Sequence, residues 1–107
     1  MRRNSGYGLH PLAAKDITAI WEYIAADNPR AAGRVREELI EKIRSLVAFP
    51  HQGLRRLELT TLPLRFKTVR EYVIAYAPDK KPLWVVAVFH GRRDPGVIAL
   101  MLEDREQ

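Results

Sequence analysis

The spacing of apolar residues changes period partway along this chain, and that change sets the class of fold. Over residues 12–26, Ile17, Ile20, Trp21 and Ile24 recur at i, i+3, i+4 and i+7, the signature of one helical face. Ala13, Ala14, Ala19, Ala25 and Ala26 add helix propensity. Asp27-Asn28-Pro29 interrupts the pattern, because a residue before proline avoids the α region. Pro29 also suits a first helical turn, with Asn28 or Asp27 as its cap. A second helix is predicted to about Ala48, with Val35, Leu39, Ile43, Leu46 and Val47 on one face and Arg34, Glu37, Glu38, Glu41, Lys42 and Arg44 on the other. Two stripes joined by so short a link predict an antiparallel helical hairpin.

After Pro50 to Gly53 the period falls to two. Residues 54–63 read as an irregular link with a short extended piece at Leu57–Leu59. Leu64, Phe66 and Thr68 then alternate with Arg65, Lys67 and Val69. Tyr72, Ile74 and Tyr76 share one strand face, and Pro78 to Pro82 is turn chemistry. Leu83 to His90 is almost wholly apolar, as a strand covered on both faces must be. Tyr7 to His10 predicts a short opening strand ended by Pro11, and Val97 to Leu102 a last short strand or helix. The expected fold is α+β: a small antiparallel sheet of three to four strands packed on an N-terminal helical hairpin, in the order β-α-α-β-β-β. Residues 1–107 read as one domain, with a loose tail at 1–6 and a variable segment at 95–107.

Composition narrows the chemistry. The chain has no cysteine, which excludes a disulfide scaffold, a zinc–thiolate site and a thiol nucleophile. Neither Ser5 nor Ser45 has the setting of a nucleophile elbow. His10, His51 and His90 are isolated from one another, so neither a metal nor a cofactor is expected. The run Leu83 to Phe89 is far short of the ~20 residues of a spanning helix, and the cytoplasm is the expected compartment. Of the formal net charge of +5, the segment 55–93 carries nine basic against three acidic residues. Such segregation fits a polyanion or an acidic partner.

The segment His90-Gly91-Arg92-Arg93-Asp94 follows the most apolar strand directly. Arginine presents a planar fork that pairs bidentately with carboxylate or phosphate. Arg65, Lys67 and Arg70 add charge from the neighbouring strand and turn, and Asp94 is placed to orient one of the arginines. Target contact is therefore expected at Arg65, Lys67, Arg70, His90, Arg92, Arg93 and Asp94. Metal-free RNA cleavage needs a base, an acid and cations for the phosphorane; His90, Arg92, Arg93 and Arg65 supply parts of that set. A non-catalytic nucleic-acid-binding module is a further alternative. Trp21, Trp84, Tyr72 and Tyr76 lie on apolar stripes, which places them in the core rather than in a base-stacking platform.

Several ordered pieces resemble a known family. They are Ala13, Asp16, Ile17 and Ile20 followed by Tyr23-Ile24; Asn28-Pro29 with Ala31-Ala32; Phe49-Pro50 with Gly53; Leu64-Arg65; Tyr72, Ile74 and Tyr76; and the strand ending His90-Gly91-Arg92-Arg93-Asp94. Together they resemble the RelE/ParE superfamily of type II toxin–antitoxin toxins, nearer the ParE branch. The resemblance implies a small sheet backed by a helical hairpin, and a toxin neutralised by an acidic antitoxin as a hetero-oligomer. It implies plasmid stabilisation and DNA gyrase inhibition for ParE-like members, and ribosome-dependent mRNA cleavage for RelE-like ones. RelE-like catalysis typically uses an arginine on the penultimate strand, further basic residues, and a tyrosine or histidine near the C-terminus. Here Val73 follows Tyr72, and no tyrosine or histidine follows His90. A toxin acting by binding is the reading, with Trp21, Arg65 and Arg92 expected to meet the antitoxin.

Overall fold

The computed structural model describes residues 6–106. The expected loose tail at 1–6 lies, Gly6 excepted, outside the described residues, as does Gln107 at the other end. The element order is β1 (Tyr7–Leu9), α1 (Pro11–Ala25), α2 (Pro29–Ala48), β2 (Arg65–Val69), β3 (Tyr72–Ala77), β4 (Leu83–His90) and α3 (Pro95–Arg105).

Each helix begins with a polar residue and a proline. His10 Nδ1 accepts from Leu12 N at 3.0 Å, Asn28 Oδ1 from Ala31 N at 3.1 Å, and Asp94 Oδ2 from Val97 N at 3.1 Å. The proline follows at the first helical position, where its missing N–H costs nothing. The last segment is thus a helix, settling the strand-or-helix expectation at Val97–Leu102.

The sheet runs β1-β4-β3-β2. β2, β3 and β4 are antiparallel neighbours, as expected, but β1 pairs parallel with β4. The sheet is therefore mixed. No tight turn joins β1 to β4; the helical hairpin, β2 and β3 lie between them in sequence, so either direction was open. The pairing of β3 with β4 shifts register between Ala75 and Tyr76, and β4 spends one extra residue there.

Both faces of β3 and β4 are covered, which is why these strands read as apolar throughout. On one face Ile74, Tyr76, Val85 and Val88 pack against Ala13 and Ile17 of α1 and Val35, Leu39, Ile43 and Leu46 of α2. On the other, Phe66, Val73, Ala75, Val86 and Phe89 pack against Ile98 and Leu102 of α3 and Leu59 and Leu64 of the link. The link differs from expectation: residues 57–59 form a turn, and the extended piece is Leu54, bridged to Phe66. Tyr76 ties the link to the core, its hydroxyl donating to Pro50 O at 2.7 Å and accepting from Gly53 N at 2.9 Å. Gly53 has no room for a side chain, since a Cβ there would stand 2.5 Å from that hydroxyl.

β1 stops at Leu9, so among the described residues β4 has no strand on that side beyond Val85. Two side chains take that place. Val88 N donates to Asp16 Oδ2 at 3.0 Å, and Arg105 Nη1 donates to Val86 O at 3.1 Å. Arg105 also grips Asp16 with both nitrogens, at 2.7 and 3.2 Å. Their side chains are 10% and 16% exposed. This ion pair completes the ladder and pins α3 to α1.

Candidate functional site

The loop after β4 is held by its own backbone. Gly91 N donates to Glu71 O at 2.8 Å, and Arg93 N to His90 O at 3.0 Å. His90 Nδ1 accepts from Arg92 N at 3.0 Å, which leaves the proton of a neutral ring on Nε2. The His90 ring stands edge-on to Tyr72, with centroids 5.5 Å apart. Asp94 starts α3. Every turn of the loop is thus fixed, yet among the described residues neither the Arg92 nor the Arg93 guanidinium meets an internal acceptor. Two exposed guanidinium forks on a rigid loop can take carboxylates or phosphates with little ordering cost.

Asp94 corrects one expectation. Its carboxylate caps α3 through Val97 N and makes no ion pair with Arg92 or Arg93. Asp-Pro opening a helix is a cap pattern, and the side chain serves the backbone in preference to a solvated arginine.

Beside the loop lies a cleft of about 530 Å³ between α1 and the end of the sheet. Ala19, Ile20 and Tyr23 line one side; Glu71, Tyr72, His90 and Arg93 line the other. Tyr23 is 81% exposed. Tyr72 is buried, and that burial, followed by the charge of nearby Glu71, pushes its phenol above the ordinary value of 10. It stays a neutral hydrogen-bonding group at physiological pH. Neither Tyr23, quoted above only as a residue of the family resemblance, nor Glu71 was expected at the site, and Tyr72 was expected in the core. Nothing in the spacing distinguishes Tyr23 from any other polar-face residue of α1; only the approach of the β2–β3 turn makes it a wall.

The other expected contacts are dispersed. Arg65 pairs with Tyr76 and His90 with Tyr72, so they lie on opposite sides of β3 and four positions apart along it, about 13 Å in the strand direction alone. Arg65 Nη1 donates to Gly53 O at 2.7 Å and His51 O at 3.3 Å, holding the link. Arg70, with φ of 56° in the β2–β3 turn, grips Glu38 of α2 through two bonds of 2.7 and 2.8 Å. Those bonds hold the Glu38 carboxyl below its ordinary value. Lys67 is half-buried on the edge strand, on the side facing the hairpin, opposite Ile74. The basic residues therefore do not form one open sheet face, because both faces are occupied. Nor does the structure gather His90, Arg92, Arg93 and Arg65 into one cluster for RNA cleavage.

Trp21 also departs from expectation. It lies at the flank of the α1 stripe, 39% exposed, rather than in the core. With Pro29, Gly33, Arg34, Arg36 and Glu37 it lines an open concavity of about 700 Å³ between the two helices. Trp84 is half-buried and packs against the α3-side core, so close to Gly8 that a Cβ there would clash at 2.7 Å.

Among the described residues no group of three or more His, Asp or Glu stands close enough to hold a metal ion, and no helix is long and apolar enough to cross a membrane. A search of curated proteins returned no match. A family model described as the ParE toxin of the type II toxin–antitoxin system, parDE, matches residues 7–95. The match spans β1 to the first residue of α3 and includes the whole cleft and its arginine loop.

Proposed function

The chain belongs to the ParE toxin family of type II toxin–antitoxin systems, and from that premise we propose that it arrests growth by binding its target through the arginine loop. The observation that carries this reading is the loop itself: its backbone is fixed, and among the described residues the guanidinium groups of Arg92 and Arg93 have no internal acceptor. The two arginines grasp carboxylates of the target surface. His90 and Tyr23 flank them with rings that pack against its apolar parts, and Lys67 adds long-range attraction. Arg65 and Arg70 are committed to the link and to Glu38, so they shape the surface and do not touch the target.

The target proposed is DNA gyrase in the cytoplasm, and the outcome plasmid maintenance through a cognate acidic antitoxin. The antitoxin lays an apolar segment in the concavity at Trp21 and sets carboxylates against Arg34, Arg36 and Arg92. Binding is preferred to covalent chemistry because Arg65, one of the four residues expected to serve RNA cleavage, is tied to Gly53 O and His51 O at the other end of the sheet.

Controlled expression with and without the neighbouring open reading frame tests the reading. Growth arrest relieved by the neighbour, with supercoiling by purified gyrase inhibited in vitro, is the expected result. The double variant Arg92→Ala/Arg93→Ala should fold normally and lose both effects. Intact supercoiling together with cleaved mRNA in a translating extract would overturn it in favour of a RelE-like endonuclease. Tight, steeply salt-dependent nucleic-acid binding with no growth arrest would point to a plain binding module.

A further inference from the structure

The geometry points to a second docking surface, at the opposite end of the sheet from the arginine loop, built for an acidic peptide segment with an apolar anchor. It rests on the reading of this chain as a toxin, and its occupant is the antitoxin. The surface is the β3–β4 turn with the C-terminal end of α2 beside it. Lys80 and Lys81 sit at the tip, both exposed and, among the described residues, without an internal partner. They rim a concavity of about 420 Å³ whose floor is Val47, Pro50, Pro82 and Leu83.

The composition of this surface is what decides the occupant. The turn's one carboxylate, Asp79, lies 3.8 Å from His51 Nε2 and makes no ion pair with Lys80 or Lys81. Arg55 is exposed and lines the next hollow, which shares Pro78 with the first. An apolar floor and a rim of lysines without an internal partner among the described residues are poorly matched to a nucleic-acid backbone, which offers charge but no side chain for the floor. They match a peptide whose carboxylates flank one aliphatic or aromatic residue. The negative end of the α2 dipole lies here and accounts for some local preference for cations, but it offers no reason for the open apolar floor.

The two surfaces are separated by the length of β4, eight residues or about 26 Å. An antitoxin held at the lysine turn therefore leaves the arginine loop physically open unless another part of it reaches there. The lysine turn acts as an anchor, and neutralisation as a separate contact.

Charge reversal tests this. Lys80→Glu/Lys81→Glu alters two exposed side chains, and unchanged thermal unfolding checks the fold. With the purified neighbouring antitoxin at 0.15 M salt, calorimetry should show affinity at least tenfold weaker than for the native chain. Growth arrest should persist and be relieved poorly by the neighbour. Lys80→Arg/Lys81→Arg should bind as the native chain does. Antitoxin affinity within twofold of native for the reversed variant overturns the inference while leaving the toxin reading intact. Loss of growth arrest in that variant, with antitoxin affinity unchanged, assigns the turn to the target and also overturns it. A native chain that neither arrests growth nor binds the neighbour fails the toxin reading itself.

Discussion

Arg105 and the pair Arg92–Arg93 lie a dozen residues apart in sequence and do opposite things. Arg105 turns inward to finish the edge of β4, where the backbone left a carbonyl at Val86 and an amide at Val88 without a strand to meet them. Arg92 and Arg93 sit on a loop whose backbone N–H groups are already met by Glu71 and His90, and among the described residues their side chains have no internal acceptor. What separates an inward, structural arginine from an exposed one here is the state of the nearby backbone. An unmet buried peptide group recruits a side chain, because leaving it bare costs about 1–3 kcal/mol. A satisfied one releases the side chain to the surface.

The sharpest way to break that contrast is to remove one partner of the inner pair. Asp16→Ala strands a largely buried guanidinium and uncovers Val88 N–H. Breaking a pair of this kind typically costs about 3–5 kcal/mol. Urea unfolding should show a loss of about 3 kcal/mol. A loss below about 1 kcal/mol would mean that the edge of β4 tolerates solvent and that Arg105 is no more structural than its neighbours.

The outer pair should behave in the reverse sense. Arg92→Ala/Arg93→Ala should move stability by no more than about 0.5 kcal/mol, as exposed substitutions do. Target affinity should fall by roughly 10–100-fold, about 1.4–2.8 kcal/mol, read by titrating inhibition of supercoiling. Substantial destabilisation would show the loop to be part of the fold.

Tyr76→Phe probes the same rule without charge. The variant keeps the ring and removes a hydroxyl bonded to Pro50 O and Gly53 N. With one buried donor and one acceptor left unmet, unfolding free energy should fall by about 1–3 kcal/mol. The hydroxyl also carries a pH signature. Burial raises the Tyr76 phenol above 10, so its contribution is complete below pH 10 and is lost as pH rises through the folded value. The native chain should weaken more steeply than Tyr76→Phe under alkaline titration.

The contrast also explains what could be read from the chain beforehand. The hairpin was legible because Val35, Leu39, Ile43 and Leu46 repeat at the helical period on an otherwise charged helix, and β3 and β4 because a strand covered on both faces must be apolar throughout. α3 was not, since Val97, Ile98, Leu100, Met101 and Leu102 surround the helix and only Ile98 and Leu102 are fully buried. The parallel setting of β1 was invisible in three residues. The arginine loop was placed correctly at the end of β4, but its neighbours were not. Arg65 and Arg70 look as free in sequence as Arg92, and the carbonyls and carboxylate that claim them come from distant segments. Asp16 and Arg105 are 89 positions apart, beyond any local pattern. Trp21 sits on the apolar stripe by spacing, but at its flank, where α2 does not close over it.

The smallest expected effect belongs to the exposed clasp between Arg70 and Glu38, which lies between the two extremes. Its geometry is as good as that of the inner pair, with bonds of 2.7 and 2.8 Å, but both side chains are nearly half exposed. Water therefore competes for each charge, and such pairs contribute little. The sign is still fixed. The Arg70 hydrogen bonds lower the Glu38 carboxyl below its ordinary 4.5, so the contribution is present above that value and is lost as pH falls through the folded value. The urea midpoint of the native chain should therefore drop slightly more than that of Arg70→Ala as pH is lowered from 5 toward about 3. Added salt should narrow the difference at pH 5, as screening does for exposed charges and not for buried ones. A difference that survives high salt would place this clasp with Asp16 and Arg105, and would show that two good hydrogen bonds outweigh exposure in deciding which arginines hold the fold.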